Sequence, residues 1–458
     1  MNQNTPNGRA SLFGLGVAAK SQMLARLAGQ LQAAPSAASR PRLPLGDAGM
    51  REDLRLIREA GALLEIDSPF FRCHDGLAGA ETQIGGRVLL NFASYNYLGL
   101  NGHPTVVAAA KAAIDRYGIS VSASRIVSGE RAVHRDLEAA LAELYQAEDC
   151  LAFVSGHATN VTVIGHLVGV GDAVVHDALA HNSIVQGARL SGAQRLSFPH
   201  NDLDALDRQL AGLRGRVPRV LVVAEGHYSM DGDILELPRL IGIIRRHGAY
   251  LMVDEAHSLG VLGSGGAGIA EHFGLDPREV DIWMGTLSKT LSACGGYIAA
   301  NRDIVEYLRC SVPGFVYSVG LSPPLAAASL AALGVMRAEP ERVARLNANG
   351  QIFLSAAKAA GLNTGTSIGS AIVPVIVGSS IGASRAADLL FRLGVNVQPI
   401  LYPAVPERAA RLRFFLSSLH TPAQIDRAVN ETAAAVHEAR AAKLPVAVLA
   451  RALGSSRN

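Results

Sequence analysis

Between residues 150 and 300, short apolar runs alternate with longer helix-like stretches. Alternation of this kind predicts a mostly parallel β-sheet wrapped by helices. The runs that qualify as strands are 150–154, 173–176, 195–198, 220–224, 250–253, 280–284 and 297–300. We therefore predict an α/β fold in which one large central domain contains a seven-stranded, mostly parallel sheet.

The composition fits an α/β protein and excludes several other classes. Of the 458 residues, 49% are hydrophobic and 47 are glycine, which suits many tight strand–helix turns. A net charge of +3 without long basic runs does not indicate nucleic-acid binding. No segment reaches the roughly 20 uninterrupted apolar residues that a membrane span needs. The four cysteines form no CxxC pair, which predicts buried thiols in a reducing compartment, the cytoplasm, and no metal site.

Changes of pattern along the chain predict five regions. Residues 1–50 are expected to form a mobile N-terminal arm with a short helix near 18–32. Residues 51–100 form an N-terminal segment with a helix at 51–64 and a strand at 88–92, and residues 101–335 form the large domain. Residues 336–445 form a smaller α+β domain, and residues 446–458 are a tail. The smaller domain is expected to contain strands at 372–377 and 395–400 and helices at 384–393 and from Pro422.

Polar residues follow two of the predicted strands in a pattern typical of a ligand site. Asp254 comes directly after the run 250–253, and His257 follows it in the turn. Thr286, Ser288 and Lys289 follow the run 280–284. Open α/β sheets bind ligands beyond the carboxyl ends of their strands, so we expect these side chains to meet. Lys289 is the one lysine among the chain's five that follows an apolar strand, since the others lie in helix-like surroundings.

An acid, a histidine, a lysine and small hydroxyls at strand ends favour pyridoxal phosphate chemistry. The lysine amine forms a Schiff base with the cofactor aldehyde. An acid beside the pyridine nitrogen keeps the ring cationic, so that the ring accepts electrons from a carbanion. The sequence DEAH at 254–257 also marks an acid box of nucleic-acid-dependent ATPases. That alternative requires a GxxxxGK[ST] loop, and the chain contains no Gly-Lys pair.

Other loops carry polar residues that suit either a site or a simple turn. Ser155, Gly156 and His157 open a helical stretch, where free N–H groups and the helix dipole favour a phosphate. An SG turn also caps many helices that bind no ligand. His181 follows another strand, and a loop histidine usually faces solvent. The remaining candidates, for turn geometry or ligand contact, are Glu225, Ser229, Asp231, Asn96 and Tyr97.

Together these motifs resemble those of the α-oxoamine synthases, which are fold-type I pyridoxal phosphate enzymes. The group includes 8-amino-7-oxononanoate synthase, 5-aminolevulinate synthase, 2-amino-3-ketobutyrate CoA ligase and serine palmitoyltransferase. The resemblance covers residues 50–440 and rests on motifs in the family order, namely SYNYLGL, SASRIVSG, SGHATN, HNS, EGHYSMDGD, VDEAHSLG, GTLSKTLSACGGY and YPAVPERAARLRF. One such motif would be weak, but eight in order are specific. The resemblance implies an aspartate aminotransferase-like fold and pyridoxal 5'-phosphate as cofactor.

The resemblance also implies roles for individual positions. Lys289 matches the Schiff-base lysine, and Asp254 matches the partner of the pyridine nitrogen. His257 matches the donor to the phenolic oxygen, and His181 the histidine stacked over the ring. These four are the predicted catalytic residues. The predicted cofactor contacts are Ser155, Gly156, His157, His181, Ser229, Asp254, His257, Thr286, Ser288, Lys289 and Ser318.

Two further implications concern the partner subunit and the substrate. Ser318 matches a phosphate contact from the neighbouring subunit, which implies a homodimer with shared active sites. Asn96 matches the substrate-side asparagine. Arg413, the second arginine of RLR, matches the arginine that binds the substrate carboxylate, a group for which a bidentate guanidinium is the natural partner.

The implied reaction is a decarboxylative Claisen condensation, most like that of serine palmitoyltransferase or the aminolevulinate-type synthases. A small amino acid (Ser, Gly or Ala) reacts with an acyl thioester of CoA or an acyl carrier protein to give an α-aminoketone. Two departures from the family matter: Leu401 stands where the oxononanoate synthases carry arginine, and Val319–Gly320 replaces hydroxyl residues. Leu401 counts against the oxononanoate synthase of biotin synthesis. That enzyme, an aminotransferase and a silent partner subunit stay open as alternatives, and the sequence leaves the amino acid, acyl chain and carrier undecided.

Overall fold

The computed structural model describes residues 46–441, together with Gln22. The chain divides into two compact units, residues 1–60 with 451–458 and residues 61–450. The sheets and the site described below belong to the second unit. Apart from Gln22, the predicted helix near residues 18–32 lies outside the described residues, as does the predicted tail. The proposed domain boundaries stay predictions.

The order of helices and strands follows the predicted alternation. The described strands are β1 (Glu81–Ile84), β2 (Arg87–Asn91), β3 (Asp149–Phe153), β4 (Ala173–Asp177), β5 (Gln194–Phe198), β6 (Val220–Glu225), β7 (Tyr250–Asp254), β8 (Ile282–Thr286), β9 (Gly296–Ala300), β10 (Ile372–Ile376), β11 (Val395–Asn396), β12 (Gln398–Ile400) and β13 (Arg411–Phe415). The described α-helices are α1 (Ala48–Leu63), α2 (Pro104–Tyr117), α3 (Ala132–Leu144), α4 (Gly156–Leu167), α5 (Asn182–Leu190), α6 (Leu203–Leu213), α7 (Leu237–His247), α8 (Ile269–Phe273), α9 (Arg302–Ser311), α10 (Pro313–Val316), α11 (Pro323–Ala338), α12 (Glu341–Ala359), α13 (Ser380–Arg392) and α14 (Pro422–Ala441).

The central sheet has seven strands in the order β3-β9-β8-β7-β6-β4-β5. β9 runs antiparallel to both of its neighbours, and every other adjacent pair is parallel. This confirms the predicted fold class and all seven predicted strands. The carboxyl ends of β4, β6, β7 and β8 therefore lie at one edge, where Asp177, Glu225, Asp254 and Thr286 end their strands.

Burial explains why the apolar runs form strands of this sheet. Every residue of β4, β8 and β9 is buried, as expected for strands covered by helices on both faces. The predicted strand 280–284 begins two residues later, at Ile282. Val280 instead follows a 3₁₀ turn, and the Asp281 carboxylate accepts a hydrogen bond from the backbone N–H of Leu251 at 2.7 Å.

The C-terminal part contains a smaller, antiparallel sheet in the order β10-β13-β12. A third sheet, β1-β2-β11, combines the hairpin at residues 81–91 with β11. The predicted strand 395–400 is thus divided: Val395 and Asn396 pair with β2, whereas residues 398–400 pair with β13. One apolar run serves two sheets, because its halves find different partners.

The described residues contain neither a membrane-spanning helix nor a cluster of metal-binding side chains. No helix between residues 46 and 441 is long and apolar enough to cross a membrane. The same part of the chain contains no group of three or more His, Cys, Asp or Glu side chains that could hold a metal ion. The cysteines are free thiols, but the prediction that they are buried holds for Cys150 and is wrong for Cys73, Cys294 and Cys310, which are exposed.

Candidate active site

Asp254 occupies the carboxyl end of β7 and is held by two N–H donors. Its Oδ2 accepts a hydrogen bond from Asn160 Nδ2 at 2.8 Å, and its Oδ1 accepts one from the backbone N–H of Ala256 at 2.9 Å. The residue is 4% exposed. A buried carboxylate with two donors is fixed in place, and it suits a ligand that presents a cationic N–H group.

Lys289 follows β8 in the loop predicted from the sequence. Burial lowers the pKa of its amine to about 8, and the charge of Arg413 acts in the same direction. The negative charge of Asp254 opposes this shift. The Lys289 Nζ lies 5.9 Å from the centre of the Tyr95 ring. An amine of this pKa is partly unprotonated near neutral pH, as nucleophilic catalysis requires.

His181 forms the N-cap of α5, with its ring fixed by its own helix. Its Nδ1 is 2.7 Å from Ser183 Oγ, and its backbone N–H donates to Glu225 Oε1 at 2.6 Å. Burial lowers its pKa, and the charge of Asp254 partly opposes that effect. The ring meets His157 edge-on at 6.1 Å. The two predicted histidines are therefore brought together.

His257 is neutral and oriented by a tyrosine. Tyr97 Oη lies 2.7 Å from His257 Nδ1, which leaves Nε2 as the ring nitrogen available to a ligand. Burial, reinforced by the positive charge of Lys289, lowers the pKa of His257 well below its usual value. The His257 side chain is thus placed to hydrogen-bond rather than to carry charge.

The N-terminus of α4 forms a small cradle with the end of β8. Ser155 is the N-cap residue and accepts a hydrogen bond from Ala158 N–H at 3.3 Å. Gly156 begins the helix so close to β8 that an added Cβ would lie 2.7 Å from Thr286 Oγ1. Free N–H groups in the first turn, beside a hydroxyl, suit a phosphate group.

Arg413 projects from β13 and is the clearest candidate for binding an anionic substrate group. Its Nη1 donates to the Ser229 carbonyl at 3.2 Å and lies 3.3 Å from Met230 Sδ. Its Nε is buried without a partner among the described residues. Burial lowers the pKa of Arg413. A buried guanidinium with an unpaired N–H is costly unless an anion completes it.

Four other predicted positions make hydrogen bonds to nearby groups of the protein. Asn96 uses Nδ2 to bond the Ala78 carbonyl at 2.8 Å and Oδ1 to accept from Asn101 N–H at 3.1 Å. Ser229 contributes its carbonyl to Arg413. Ser288 Oγ accepts from Gly295 N–H at 3.4 Å, and Ser318 Oγ donates to the carbonyl of Val319. Their predicted ligand contacts stay predictions.

The sequence did not single out Asn160, which shapes this site. Asn160 holds Asp254, and it stands one helical turn after Gly156 within the SGHATN motif. Glu225, one of the predicted candidates, accepts a hydrogen bond from the backbone N–H of His181. The spacing of Asn160 from Gly156 was the available signal, because residues four apart share one face of a helix.

The residues present fit pyridoxal phosphate. The N-terminus of α4 would hold its phosphate, Asp254 its ring nitrogen, His257 its phenolic oxygen and Lys289 its aldehyde carbon. The fit rests on the cradle at Gly156 and on the two N–H donors that fix the Asp254 carboxylate.

Comparison with known proteins identifies the family. The model of the family "Aminotransferase class I and II" matches residues 87–431. The chain belongs to this family. Within it, the chain is an α-oxoamine synthase, a pyridoxal-phosphate-dependent acyltransferase. The predicted fold, enzyme class and cofactor are confirmed.

Two groups of relatives of this aminotransferase-family chain are similar over most of its length. The 8-amino-7-oxononanoate synthase of Geobacter sulfurreducens is 41% identical over 382 residues, which cover 82% of this chain and 95% of the relative. That of Thermoanaerobacter pseudethanolicus is 36% identical over 384 residues, covering 83% and 95%. The structure of Sphingomonas wittichii serine palmitoyltransferase gives a TM-score of 0.82 at 31% identity, covering 87% of this chain and 100% of that one. An 8-amino-7-oxononanoate synthase structure from Francisella tularensis gives 0.67 at 26% identity, covering 76% and 98%.

Proposed function

We propose that this enzyme condenses serine with an acyl thioester whose acyl chain has an uncharged end, releasing CO₂ and forming an α-aminoketone. The single observation that carries binding of an α-amino acid is the buried Arg413 guanidinium with its unpaired Nε, and the choice of serine among such amino acids is supported by the similarity to serine palmitoyltransferase structures. Its charge lies near enough to Lys289 to lower the pKa of that amine. A guanidinium beside the reacting lysine is suited to the carboxylate of an α-amino acid.

Each residue of the site has a defined task in this reaction. Pyridoxal phosphate, when bound, supplies an electron sink for the carbanion formed at the amino acid α-carbon. Lys289 removes the α-proton, since its amine is partly unprotonated near neutral pH. His181 covers the site and limits the access of water. Arg413 fixes the carboxylate, so that the amino acid is held in one orientation.

The acyl part of the proposal is supported by Leu401 and by the structural neighbours. Leu401 is half-buried and apolar where the resemblance to oxononanoate synthases leads us to expect an arginine. An apolar side chain offers no partner to an acyl chain that ends in a carboxylate. The serine palmitoyltransferase structures, with a TM-score of 0.82 against 0.67, favour the same choice.

Oxononanoate synthesis is the second candidate, and the sequence relatives favour it. Several 8-amino-7-oxononanoate synthases are 36–41% identical to this chain, which exceeds the 31% of the serine palmitoyltransferase structures. The product in that name, 8-amino-7-oxononanoate, has a methyl group on its amino carbon and a terminal carboxylate, which correspond to alanine and to an acyl chain ending in a carboxylate. The two candidates therefore differ in the charge of the acyl terminus.

A thiol-release assay separates the candidates. The purified enzyme with pyridoxal phosphate is given serine, glycine or alanine, each with palmitoyl-CoA or with a CoA thioester ending in a carboxylate. We expect thiol release only when serine and palmitoyl-CoA are both present. Release with alanine and the CoA thioester that ends in a carboxylate would favour oxononanoate synthesis. A keto acid formed without any thioester would indicate an aminotransferase, and no visible cofactor band would indicate a silent subunit.

We also propose that the enzyme is a homodimer with shared sites. Exposed apolar side chains surround the segment that carries Ser318: Ile119 is 74% exposed, Val127 79% and Tyr317 85%. The segment that contains Ile119 is joined to the segment that carries Ser318, since Ser322 Oγ donates a hydrogen bond to the Ile119 carbonyl. A patch of this kind indicates a protein interface. Light scattering should give twice the mass of one chain, and Val127→Glu should give a monomer.

Localisation in the cytoplasm is a further part of the proposal. It is supported by the four free cysteines, because thiols persist in a reducing compartment. Cell fractionation should place the activity in the soluble cytoplasmic fraction. Recovery in a membrane or secreted fraction would contradict it.

A further inference from the structure

His200 lies between two carboxylates, one at the end of a strand of the central sheet and one in a loop that follows another strand. It belongs to the loop after β5. Its Nδ1 is 2.9 Å from Asp177 Oδ1, at the end of β4, and its Nε2 is 2.9 Å from Asp233 Oδ2, in the loop after β6. The Asp177 side chain is fully buried, the Asp233 side chain is 12% exposed, and that of His200 is 22% exposed. This geometry requires both ring nitrogens to donate.

An imidazole that donates from both nitrogens is an imidazolium. Burial disfavours this charge, but the hydrogen bonds to Asp177 and Asp233 outweigh burial and raise the pKa of His200 to about 10. The Tyr228 ring packs edge-on against the imidazole at 4.5 Å. The bridge is therefore charged throughout the physiological range and confined to one orientation.

Asp177 connects the bridge to the segment that carries His181. Its Oδ1 also accepts from Leu179 N–H at 2.7 Å, and its carbonyl accepts from Ala180 N–H at 3.1 Å. His181 follows directly. One carboxylate thus fixes both His200 and the short segment 177–181.

Asp233 connects the bridge to the segment that supports Arg413. Its carbonyl accepts from Tyr228 N–H at 2.9 Å, which closes the loop 228–233. Ser229, inside that loop, offers its carbonyl to Arg413. The loop is clamped to β13 a second time by Arg411, whose Nη1 donates to the Asp231 carboxylate at 2.6 Å.

We propose that His200 is a positioning residue of the reaction, because its bridge sets the distance between the segment carrying His181 and the loop supporting Arg413. His200 touches neither cofactor nor substrate in this role. It acts through Asp177 and Asp233, and it couples the side of the site that covers the cofactor to the side that binds the carboxylate. The kinetic part of the proposal rests on the proposed function, but the structural part does not.

Hydrogen–deuterium exchange of the full-length protein without substrate tests the structural part. In His200→Gln, backbone exchange should increase in both 177–181 and 228–233, by about 10-fold or more. His247→Gln is the matched control, because His247 Nε2 also bonds an aspartate, Asp207, at 2.6 Å. That pair joins Asp207 of α6 to the last residue of α7, before β7 begins. Unchanged exchange in both segments of His200→Gln would overturn the proposal.

Separate aspartate variants test whether Asp177 and Asp233 act on different parts of the site. Asp233→Asn should raise the KM for the amino acid about 10-fold with little change in the cofactor spectrum, since only the Arg413 support is loosened. Asp177→Asn should alter the cofactor spectrum and lower kcat. A fall in apparent kcat that only matches the loss of folded protein in both variants, with the KM and the cofactor spectrum unchanged, would mean a merely structural role and refute positioning. If the wild type shows no thiol release, the proposed function fails, and the exchange result still decides the bridge.

Discussion

The pKa of Lys289 leads to a prediction about the rate at which the cofactor is attached. Only the unprotonated amine can attack the cofactor aldehyde. With a pKa of about 8, roughly 10% of the Lys289 amine is neutral at pH 7, whereas a lysine at its ordinary value of 10.5 is about 0.03% neutral. The structure therefore supplies about 300-fold more nucleophile than an exposed lysine.

Stopped-flow mixing of the apoenzyme with pyridoxal phosphate measures this rate through the visible absorbance of the attached cofactor. The second-order rate constant should rise with pH and level off above a midpoint near 8. Arg413→Gln should move the midpoint to higher pH, because the Arg413 charge contributes to lowering the Lys289 pKa. Arg219→Gln is the control, since Arg219 pairs with Asp172 before β4.

Two results would refute this reasoning about Lys289. A midpoint near 10 in the wild type would show that burial does not lower the pKa of the amine. A shift to lower pH in Arg413→Gln would show that the two cations do not repel. Comparing variants with the same cofactor removes the contribution of the cofactor's own ionisation.

Three further predictions follow from other contacts. The pKa of His200 is raised, so the contribution of its imidazolium to the free energy of unfolding is complete below pH ~6.5. This contribution declines by about 1.4 kcal/mol per pH unit up to pH about 10. Urea unfolding, followed by the fluorescence of the single Trp283, should show this slope in the wild type and not in His200→Gln. Gly232→Ala should lower the free energy of unfolding by about 3 kcal/mol, since φ is +70° and a Cβ would lie 2.2 Å from the Ile372 carbonyl oxygen. Gly248→Ala, where φ is +63° and no atom lies within 4 Å of the added Cβ, should lower it by about 1 kcal/mol. Thermal unfolding of the two variants compares these losses. Arg413→Lys should raise the KM for the amino acid about 10- to 100-fold, because bidentate pairing is lost, and equal KM values in the thiol-release assay would contradict this.

Much of the fold and the centre of the site were predictable because their signals are local. An apolar run followed by a polar residue was enough to place Asp254 at a strand end, since strand burial and strand termination both leave traces in neighbouring residues. Lys289 was predictable for a similar reason: it alone among the lysines follows such a run. The order of strands in the sheet then brought these two residues to one edge.

The contacts that orient these residues were not predictable, because their partners are distant in the sequence. Asn160 and Asp254 are 94 positions apart, and His200 and Asp233 are 33 apart. The spacing of Asn160 from Gly156 indicates a shared helix face, but no local feature indicates which distant residue Asn160 or His200 contacts. The division of residues 395–400 between two sheets has the same origin, since pairing partners rather than local composition decide where a strand ends.

The balance of charge in the site has a consequence for the release of product. Lys289 and Arg413 are cations, and burial, reinforced by the charge of Asp254, raises the pKa of Glu225 well above its usual value, which removes one counter-charge. We therefore propose that anions complete the site, namely the cofactor phosphate and the amino-acid carboxylate. Under the proposed reaction that carboxylate leaves as CO₂, so Arg413 loses its partner at the step that forms the product. The same guanidinium then favours binding of another amino acid over retention of the aminoketone, which carries no carboxylate there.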